Sequence, residues 1–406
     1  MCVDLIVIGG GAAGFFGAIT CAERSTKSVL ILEKTSQVLQ KVKISGGGRC
    51  NVTHDCVDPR ELSKHYPRGD KALIGPFHRF GAADTIEWFA SRNVMLKTEA
   101  DGRMFPESND SQTIVDVLVD AAHRAGVRVR TSEGVISVEK HGDRFDVLTD
   151  VGNSYTAANV LLATGGTRLA AGARIATSLG HELAPATPSL FTFRIADPRL
   201  TDLLGVAVRS ADVSVHQSQL RSSGPVLITH WGLSGPGILK ISSWGARELA
   251  ARGYRFDISV NWLPDVDAAS VLAEKWLSEG RRQLSSRSPF EAIPRRLWRR
   301  LLTAADVADD LTWAQLSKAQ ASRLCNELTN SAFGVVGKAT NKDEFVTCGG
   351  VALTEIDFQS MGSKLVDGLY FAGEVIDVDG VTGGFNFQNA WTTGYHAGAH
   401  IAERPT

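Results

Sequence analysis

A short apolar run at the start of the chain leads directly into a glycine-rich turn, and this arrangement limits the fold more than any other feature. Val3 to Ile8 has the aliphatic composition of a buried parallel strand. Gly9 to Gly14 reads GGGAAG, which satisfies the GxGxxG pattern, and a helix is predicted from there to about Arg24. A second aliphatic run, Ser28 to Leu32, ends at an acidic residue. This order predicts a βαβ unit of the Rossmann type.

The residues of the glycine-rich turn suit the phosphates of a dinucleotide. Gly9 permits the tight turn, Gly11 lets the backbone approach a pyrophosphate, and Gly14 lets the helix pack on the strand. The helix N-terminus, which includes Ala12 and Ala13, presents free N–H groups and partial positive charge. We therefore assign all five residues to a cofactor site.

The acidic residue after the second strand narrows the choice of dinucleotide. Glu33 is placed to accept hydrogen bonds from ribose hydroxyls, and we include its neighbour Lys34 in the same site. A carboxylate at this position would repel a 2′-phosphate. The unit is therefore predicted to hold FAD or NAD rather than NADP.

The C-terminal end of the chain favours FAD. Leu369 to Glu374 is a strand that runs into a glycine and an acid, and a closing helix is predicted to begin near Phe387. A second strand end that returns to the first βαβ unit provides for the ribityl and pyrophosphate parts of an extended FAD, and the helix N-terminus suits the negative charge of a reduced flavin. The alternative is a glycine-rich turn that only closes the sheet. The predicted contacts here are Gly373, Glu374, Gly384, Phe385, Asn386 and Phe387.

A second glycine cluster lies shortly after the ribose acid. The segment KISGGGRCNVT, from Lys43 to Thr53, is predicted to be a loop with backbone amides free for a ligand. Its predicted cofactor contacts are Lys43, Ser45, Gly46, Gly47, Gly48, Arg49, Cys50 and Asn51. The Cys50 thiol is also a candidate catalytic acid; the alternative is a small packing residue.

The middle of the chain has a different texture. The 406 residues exceed what a single core usually supports. From about Pro185 the pattern is antiparallel β, and from Asp265 to Lys318 it is helical. We predict an α/β FAD-binding domain (1–185 and 336–406) that is interrupted by a β module (186–262) and a helical module (263–335).

The overall composition favours none of several classes of protein, although it leaves a local basic patch open. The formal net charge is −1, which gives no global reason to bind nucleic acid or an anionic membrane. The six cysteines form no CxxC pair, so we predict neither a metal site nor disulfides and place the chain in the cytoplasm. The apolar run at the N-terminus is far shorter than the ~20 residues of a membrane span.

Six stretches, taken together and in order, resemble one family over nearly the whole chain. They are GGGAAG (9–14), KISGGGRCNVT (43–53), LLATGG (161–166), THWGLSGPGIL (229–239), VTCGGV (346–351) and GLYFAGEVIDVDGVTGGFNFQNA (368–390). The sequence resembles the BaiN/YhiN-like FAD-dependent oxidoreductases, also called aminoacetone-oxidase-like flavoproteins. The resemblance implies a glutathione-reductase-type FAD-binding Rossmann domain with inserted β-barrel-like and small helical domains. It also adds Ala163, Thr164 and Gly165 to the predicted cofactor site.

One segment and two single positions depart from the family pattern. The segment Thr167 to Ala173 is shorter than the loop that family members usually carry there. His54 stands where an asparagine is usual, and Cys348 occupies a variable position. These departures affect segments that we expect to face the substrate.

The resemblance implies one cofactor, FAD, but does not single out one reaction. The family is linked to reduction of activated C=C bonds in steroid-like substrates, to oxidation of small amines such as aminoacetone, and to reduction of uridine in large-subunit ribosomal RNA. We predict a reductase in which NAD(P)H visits transiently, because the sequence has one GxGxxG, and hydride passes through FAD to an activated C=C bond. The alternatives are a small-molecule oxidase and a non-catalytic flavin-containing RNA-binding protein.

Two further features bear on the substrate. Seven arginines lie between Arg281 and Arg300, interleaved with Phe290, Leu297 and Trp298, and could track RNA phosphates while an aromatic ring stacks on a base. The alternative is a solvated face paired with nearby carboxylates. His230, in the loop THWGLSGP, is a candidate proton carrier or a structural histidine.

Overall fold

The chain divides into two compact units. The computed structural model describes residues 2–167, 171–339 and 346–405. One unit comprises residues 1–187 with 346–406, and the other comprises residues 188–345. No helix within the described ranges is long and apolar enough to cross a membrane. The finer divisions at 185 and 262 stay predictions.

Both units contain α-helices and β-strands. The helices are α1 (Ala12–Arg24), α2 (Gln40–Gly48), α3 (Pro59–Ser63), α4 (Asp70–Arg79), α5 (Ala82–Ala90), α6 (Ser111–Arg124), α7 (Ala171–Ser178), α8 (Pro236–Trp244), α9 (Ala246–Ala251), α10 (Ala268–Ser278), α11 (Arg295–Ala304), α12 (Lys318–Thr329) and α13 (Phe385–Glu403). The strands are β1 (Cys2–Ile8), β2 (Val29–Leu32), β3 (Thr53–His54), β4 (Leu96–Thr98), β5 (Arg103–Pro106), β6 (Arg128–Arg130), β7 (Val135–His141), β8 (Arg144–Thr149), β9 (Ser154–Leu162), β10 (Thr187–Ser189), β11 (Phe193–Ile195), β12 (Ala207–Val215), β13 (Arg221–Thr229), β14 (Gly232–Ser234), β15 (Phe256–Asn261), β16 (Ser331–Lys338), β17 (Val346–Cys348), β18 (Ile356–Asp357), β19 (Gly362–Ser363) and β20 (Leu369–Phe371).

The first unit is built on a sheet whose central strands are parallel. Its order is β18-β19-β20-β9-β1-β2-β6, and the hairpin β7–β8 joins it through β9. Ile8 lies opposite both Leu32 and Leu162, and Leu162 lies opposite Phe371. The predicted βαβ unit is therefore confirmed as β1-α1-β2. Because β20, β9, β1 and β2 are parallel, their carboxyl ends meet at one edge of the sheet.

Helices α1 and α13 pack backbone against backbone in this unit. A Cβ atom added to Gly394 would lie 2.6 Å from the carbonyl oxygen of Ala13, and one added to Gly398 would lie 2.3 Å from that of Gly17. Only glycine permits so close an approach. Both contacts advance by four residues along each chain segment, so the two helices run parallel. The first turns of α13 come before these contacts, and α13 therefore begins beyond the glycine-rich turn at the start of α1.

The second unit contains a closed six-stranded barrel, which confirms the predicted barrel-like insertion. The barrel order is β11-β14-β13-β12-β15-β16. Helices α10, α11 and α12 lie in the chain between β15 and β16, and they share one hydrophobic core with the barrel. Residues 331–335, which the sequence assigned to the helical module, are thus part of barrel strand β16. The expected continuous helical pattern is also broken, because residues 279–294 contain no α-helix.

Candidate functional site

The predicted cofactor segments meet at the carboxyl edge of the parallel sheet. The glycine-rich turn follows β1, Glu33 follows β2, Ala163 follows β9 and Gly373 follows β20 by one residue. The backbone N–H of Ala163 donates to the carbonyl of Ile8 at 2.9 Å, which joins two of these segments directly. In open α/β sheets this edge is where ligands bind.

The geometry of the glycine-rich turn matches the three roles predicted for its glycines. Gly9 has a φ of +110°, and a Cβ there would lie 2.5 Å from the carbonyl oxygen of Ala163. A Cβ on Gly14 would lie 2.0 Å from the carbonyl oxygen of Gly9. By contrast, a Cβ on Gly11 would meet no described atom within 4 Å. The space beside Gly11 is therefore open to a ligand.

The carboxylate of Glu33 is held in place by three donors. Its Oε2 accepts a hydrogen bond from the Gly10 N–H at 2.8 Å, and its Oε1 accepts from the Thr35 N–H and hydroxyl, both at 2.8 Å. The carboxylate is thus fixed against the glycine-rich turn, with acceptor capacity left for ribose hydroxyls. Lys34 is exposed beside it.

Glu374 is fixed in a similar way at the end of β20. Its Oε2 lies 2.6 Å from Nζ of Lys41, and its Oε1 accepts the Thr347 N–H at 2.7 Å. A Cβ on Gly165 would lie 3.8 Å from the same carboxylate. Lys41 was missed by the sequence analysis, which chose Lys43. The Lys43 side chain is exposed, and its carbonyl accepts from the Ser111 hydroxyl.

The second glycine cluster is only partly the loop that was predicted. Lys43 and Ile44 continue α2, and the backbone leaves helical geometry at Ser45 (φ −67°, ψ 155°). The turn then closes through the Cys50 N–H, which donates to the Ser45 carbonyl at 3.0 Å. Gly46, Gly47 and Gly48 all have positive φ, and a Cβ on Gly47 or Gly48 would meet nothing within 4 Å. The backbone of this turn is therefore exposed to a ligand.

The segment after this turn is tied to the start of α13. The amide oxygen of Asn51 accepts the Gly384 N–H at 2.9 Å, in the orientation that lets its nitrogen donate to the Thr53 carbonyl at 3.0 Å. The Thr53 hydroxyl donates to Oε1 of Gln388 at 2.6 Å, and Nε1 of Trp391 donates to the Val52 carbonyl at 2.9 Å. The structure thus brings together the second glycine cluster and the start of α13, both of which were predicted to contact the cofactor.

The α13 segment begins two residues before the predicted start. The helix starts at Phe385, which is 2% exposed, rather than near Phe387. The side-chain amide of Asn386 forms two hydrogen bonds with the backbone of Gly380, at 2.9 and 2.8 Å. Phe387 stacks on Trp391, with ring centroids 5.7 Å apart. Asn386 therefore shapes the loop before the helix.

A strap that the sequence analysis missed holds this loop from the other side. The Val381 N–H donates to the His65 carbonyl at 2.9 Å, and the Tyr66 hydroxyl donates to the Phe385 carbonyl at 2.6 Å. Arg68 forms an ion pair with Asp379, whose side chain is fully buried. We call residues 65–68 the strap. No motif in the sequence marks them.

The burial of Cys50 argues against the predicted role as a catalytic acid. Its side chain is 0% exposed, and burial raises the pKa of the thiol to about 12, although the hydrogen bond with Ser45 opposes the rise. A neutral, inaccessible thiol fits the packing alternative better. Cys348, which departs from the family pattern, is also buried.

Arg49, a predicted cofactor contact, and His54, which departs from the family pattern, both make contacts within the protein. The Arg49 guanidinium pairs with Glu99 at 2.7 Å and lies 4.0 Å from the centroid of the Phe105 ring. His54 is within 3.1 Å of the Asp101 carbonyl through Nε2, and its Nδ1 accepts the Cys56 N–H at 3.2 Å. Both nitrogens of His54 are therefore engaged. Within the short segment from Thr167 to Ala173, residues 168–170 lie outside the described residues.

His230 belongs to the second unit. It lies in the turn between β13 and β14, is exposed, and contacts the ring of Trp231 with centroids 4.5 Å apart. The structure therefore leaves its predicted role as a proton carrier untested.

The arginine segment of the second unit differs from its prediction in one respect. Phe290, Leu297 and Trp298 are at most 5% exposed, and Nε1 of Trp298 donates to the Leu284 carbonyl at 2.8 Å. These side chains belong to the hydrophobic core. The prediction that an aromatic ring among the arginines stacks on a base is therefore wrong for Phe290 and Trp298.

The chemistry of the first unit fits FAD. The backbones of Gly11, Gly47 and Gly48 border open space. Among the buried polar atoms of this unit that have no hydrogen-bond partner in the described residues, Oγ1 of Thr164 lies just after β9 and Oδ1 of Asn389 lies near the start of α13. Buried polar atoms are rarely left unpaired, so they point to a polar ligand. Carboxylates for hydroxyl groups and backbone donors for phosphates complete the set that this dinucleotide requires.

Comparison with known proteins identifies the family of the chain. Residues 3–400 match the family model described as HI0933-like protein Rossmann domain. A ribosomal RNA dihydrouridine synthase from Escherichia coli is 32% identical over 402 residues, which cover 97% of this chain and 96% of that protein. A 3-dehydro-bile acid delta(4,6)-reductase from Clostridium scindens is 28% identical over 410 residues, covering 98% and 99%.

Solved structures share the fold at low sequence identity. The 3-ketosteroid-delta4-(5alpha)-dehydrogenase from Rhodococcus jostii superimposes with a TM-score of 0.53 at 15% identity, over 99% of this chain and 97% of that chain. The likeness confirms the Rossmann-type FAD-binding fold that the sequence predicted.

Proposed function

This chain belongs to the HI0933-like family of FAD-dependent oxidoreductases, and from that membership we propose that it reduces a carbon–carbon double bond conjugated to a carbonyl group. The two relatives with different names support this reaction class. Dihydrouridine differs from uridine by saturation of one such bond in the base, and a delta(4,6)-reductase is named for reducing C=C bonds.

The observation that carries the proposal is the convergence of the cofactor segments at the carboxyl edge of the sheet. The N-terminus of α1 beside Gly11 would hold the pyrophosphate, and Glu33 would accept the adenosine ribose hydroxyls. Glu374, oriented by Lys41, would accept ribityl hydroxyls. The turn around Gly47 and the first turn of α13 would hold the flavin end. FAD supplies two-electron transfer to the double bond when it is bound there.

The electron donor in this proposal is NAD(P)H. The sequence has one GxGxxG, and in this proposal that motif holds FAD, so the nicotinamide would visit and leave. Anaerobic stopped-flow measurement of flavin absorbance tests this step. We expect NADH or NADPH to bleach the flavin; a flavin that neither reduces would require another donor.

The substrate we propose is a uridine of large-subunit ribosomal RNA. The relative with 32% identity over almost the whole of both chains is named for RNA dihydrouridine synthesis. The test is a dihydrouridine map of ribosomal RNA from cells with and without the gene. We expect deletion to remove one dihydrouridine, which the intact gene restores and a Gly11→Ala variant does not.

A second candidate is the reduction of a small carbonyl-conjugated substrate, favoured by the 28% identical bile acid reductase. An unchanged dihydrouridine map would exclude the RNA substrate and leave this one. Reoxidation of the reduced flavin by a small enone, faster than by oxygen, would then support a reductase. Rapid reoxidation by oxygen with peroxide release would instead support the oxidase alternative.

A further inference from the structure

The arginines between Arg281 and Arg300 fall into two groups. Four of them are paired with oxygen atoms: Arg282 with Glu279 at 3.2 Å, Arg299 with Asp309 at 2.6 Å, Arg300 with the Asp202 carboxylate at 3.1 Å, and Arg296 with the Asp202 carbonyl. Within the described part of the chain, Arg281, Arg287 and Arg295 have no such partner and are exposed. The solvated-face interpretation thus accounts for four arginines and leaves three unexplained.

Two of the three unpaired arginines line the same cleft. Arg287 and Arg295 border a cleft of about 740 Å³ in the helical part of the second unit. Pro289, Phe290 and Trp313 also line it. A cleft with apolar walls and unpaired guanidinium groups suits a ligand that carries phosphates on an aromatic or sugar framework.

The charges around the cleft favour an anion. Lys275 and Arg282 also line it, and they share the carboxylate of Glu279, which lies 2.9 and 3.2 Å from them. Glu291 is the other lining carboxylate. Four cations therefore face two carboxylates, which leaves the lining of the cleft with two more positive than negative charges.

An exposed tryptophan lies next to this cleft in the chain. Trp276 follows the lining residue Lys275 on α10, and its side chain is 48% exposed, whereas the tryptophans at 298 and 313 are at most 1% exposed. The exposed indole presents a ring face on which another aromatic ring can stack. Nucleic acid bases stack on such side chains regardless of sequence.

We propose that the cleft and Trp276 form a binding site for single-stranded RNA, in which Arg287 and Arg295 contact phosphates and Trp276 stacks on a base. The proposal rests on the proposed function in one respect only, which is the choice of RNA as the polyanion that binds in the cleft. It concerns binding by the second unit and requires no chemistry there.

The test is the affinity of the full-length protein for a fluorescent single-stranded RNA, measured by anisotropy over a range of salt concentrations. Each lost phosphate contact lowers the salt slope by about 0.7, so Arg287→Ala with Arg295→Ala should lower it by about 1.4 and weaken binding about 25-fold at about 0.1 M salt. Trp276→Ala should weaken binding about tenfold, and Trp276→Phe should restore most of the loss.

Matched variants separate this site from general effects. Arg209 and Arg255 are exposed, belong to the same unit and do not line the cleft, so their double alanine variant removes the same charge. Trp244 is 51% exposed and provides the control for Trp276. Both controls should bind RNA like the unaltered protein. Glu291→Gln should bind about threefold more tightly, because a carboxylate that faces the phosphates is removed.

The outcomes distinguish this proposal from the proposed function. Equal losses in the cleft variant and in its arginine control would overturn the RNA site, and so would an unaltered protein that does not bind RNA. In either case FAD binding and reduction by NAD(P)H would still stand. Conversely, cleft-dependent RNA binding with an unchanged dihydrouridine map would support the site and contradict uridine as the substrate.

Discussion

At the scale of single residues, Gly11 and Gly14 separate ligand binding from folding. A side chain on Gly14 would collide with the Gly9 carbonyl at 2.0 Å, whereas one on Gly11 would enter open space. Gly11 also has a φ of −91°, which any residue adopts. The packing of the fold therefore requires glycine at position 14, whereas at position 11 only a bound ligand would require it.

We predict that Gly11→Ala leaves the stability of the FAD-free protein within about 0.5 kcal/mol of its original value, as for a substitution that meets no neighbour. FAD affinity should nevertheless fall at least tenfold, because the new methyl group occupies the approach of the pyrophosphate. Gly14→Ala should lower both quantities. Urea unfolding and fluorescence titration with FAD measure them. A Gly11→Ala variant with normal FAD affinity would refute the assignment of the open space.

The second prediction at this scale concerns Cys50 and pH. Burial raises the pKa of its thiol from 9.0 to about 12, so the folded state retains a proton that the unfolded state releases. The stability from this group is complete below pH 9 and is lost as pH rises toward 12. At pH 10 the loss should be about 1.4 kcal/mol, which Cys50→Ala should avoid.

Urea unfolding of both proteins at pH 8 and pH 10 measures this difference. Cys21, whose pKa burial raises to about 11, contributes equally in the two proteins. If the original protein and Cys50→Ala lost the same free energy over this range, Cys50 would not be a buried neutral thiol. Its predicted role in catalysis would then regain support.

At the scale of elements, sequence patterns predicted the parts that repeat a known local geometry. The strand, glycine turn and helix from Val3 to Arg24 carry their own signals in spacing and composition. The strap at residues 65–68 carries none. Its Arg68 pairs with Asp379, 311 positions away, and an ion pair over such a separation has no local signature. Lys41 was missed for the same reason, because its partner Glu374 is distant in sequence.

We predict that the ion pair between Arg68 and Asp379 stabilises the strap. Removal of either charge alone should destabilise the protein, because the other charge is buried. Asp379 is 0% exposed and Arg68 is 10% exposed. Arg68→Met should cost about 3–5 kcal/mol, since it leaves a buried carboxylate without its cation. The double variant Arg68→Met with Asp379→Leu should recover most of that loss. Chemical unfolding of the four proteins in a double-mutant cycle would detect the coupling, and additive effects would contradict it.

At the scale of the whole molecule, the sequence predicted the FAD-binding unit and the inserted unit, but it did not predict which strand closes the barrel of the inserted unit. Near Pro185 the sequence changes from a glycine-rich pattern to the pattern of antiparallel strands. This change indicated an insertion, and the barrel confirms it. Strand β16, however, returns to the barrel after three helices and pairs with β11. Alternation alone does not reveal which strand closes a barrel, because closure depends on pairing between distant segments.

The same limit applied to the arginine segment. Its sequence pattern placed Phe290 and Trp298 among cationic residues, but helix α11 turns its apolar side into the core and its arginines outward. The exposed aromatic residue of this region is Trp276, which lies on a different helix. Periodicity predicts that a helix is amphipathic; contact with other elements decides which apolar residues are covered.

The central claim is that the carboxyl edge of the first unit holds FAD, and calorimetric titration of the purified, FAD-stripped chain with FAD and with NAD tests it most directly. We predict that one FAD binds per chain with a dissociation constant of about 1 μM or tighter, near −8 kcal/mol, and that excess NAD does not compete. A folded chain that binds NAD in preference to FAD, or binds neither, would contradict the account.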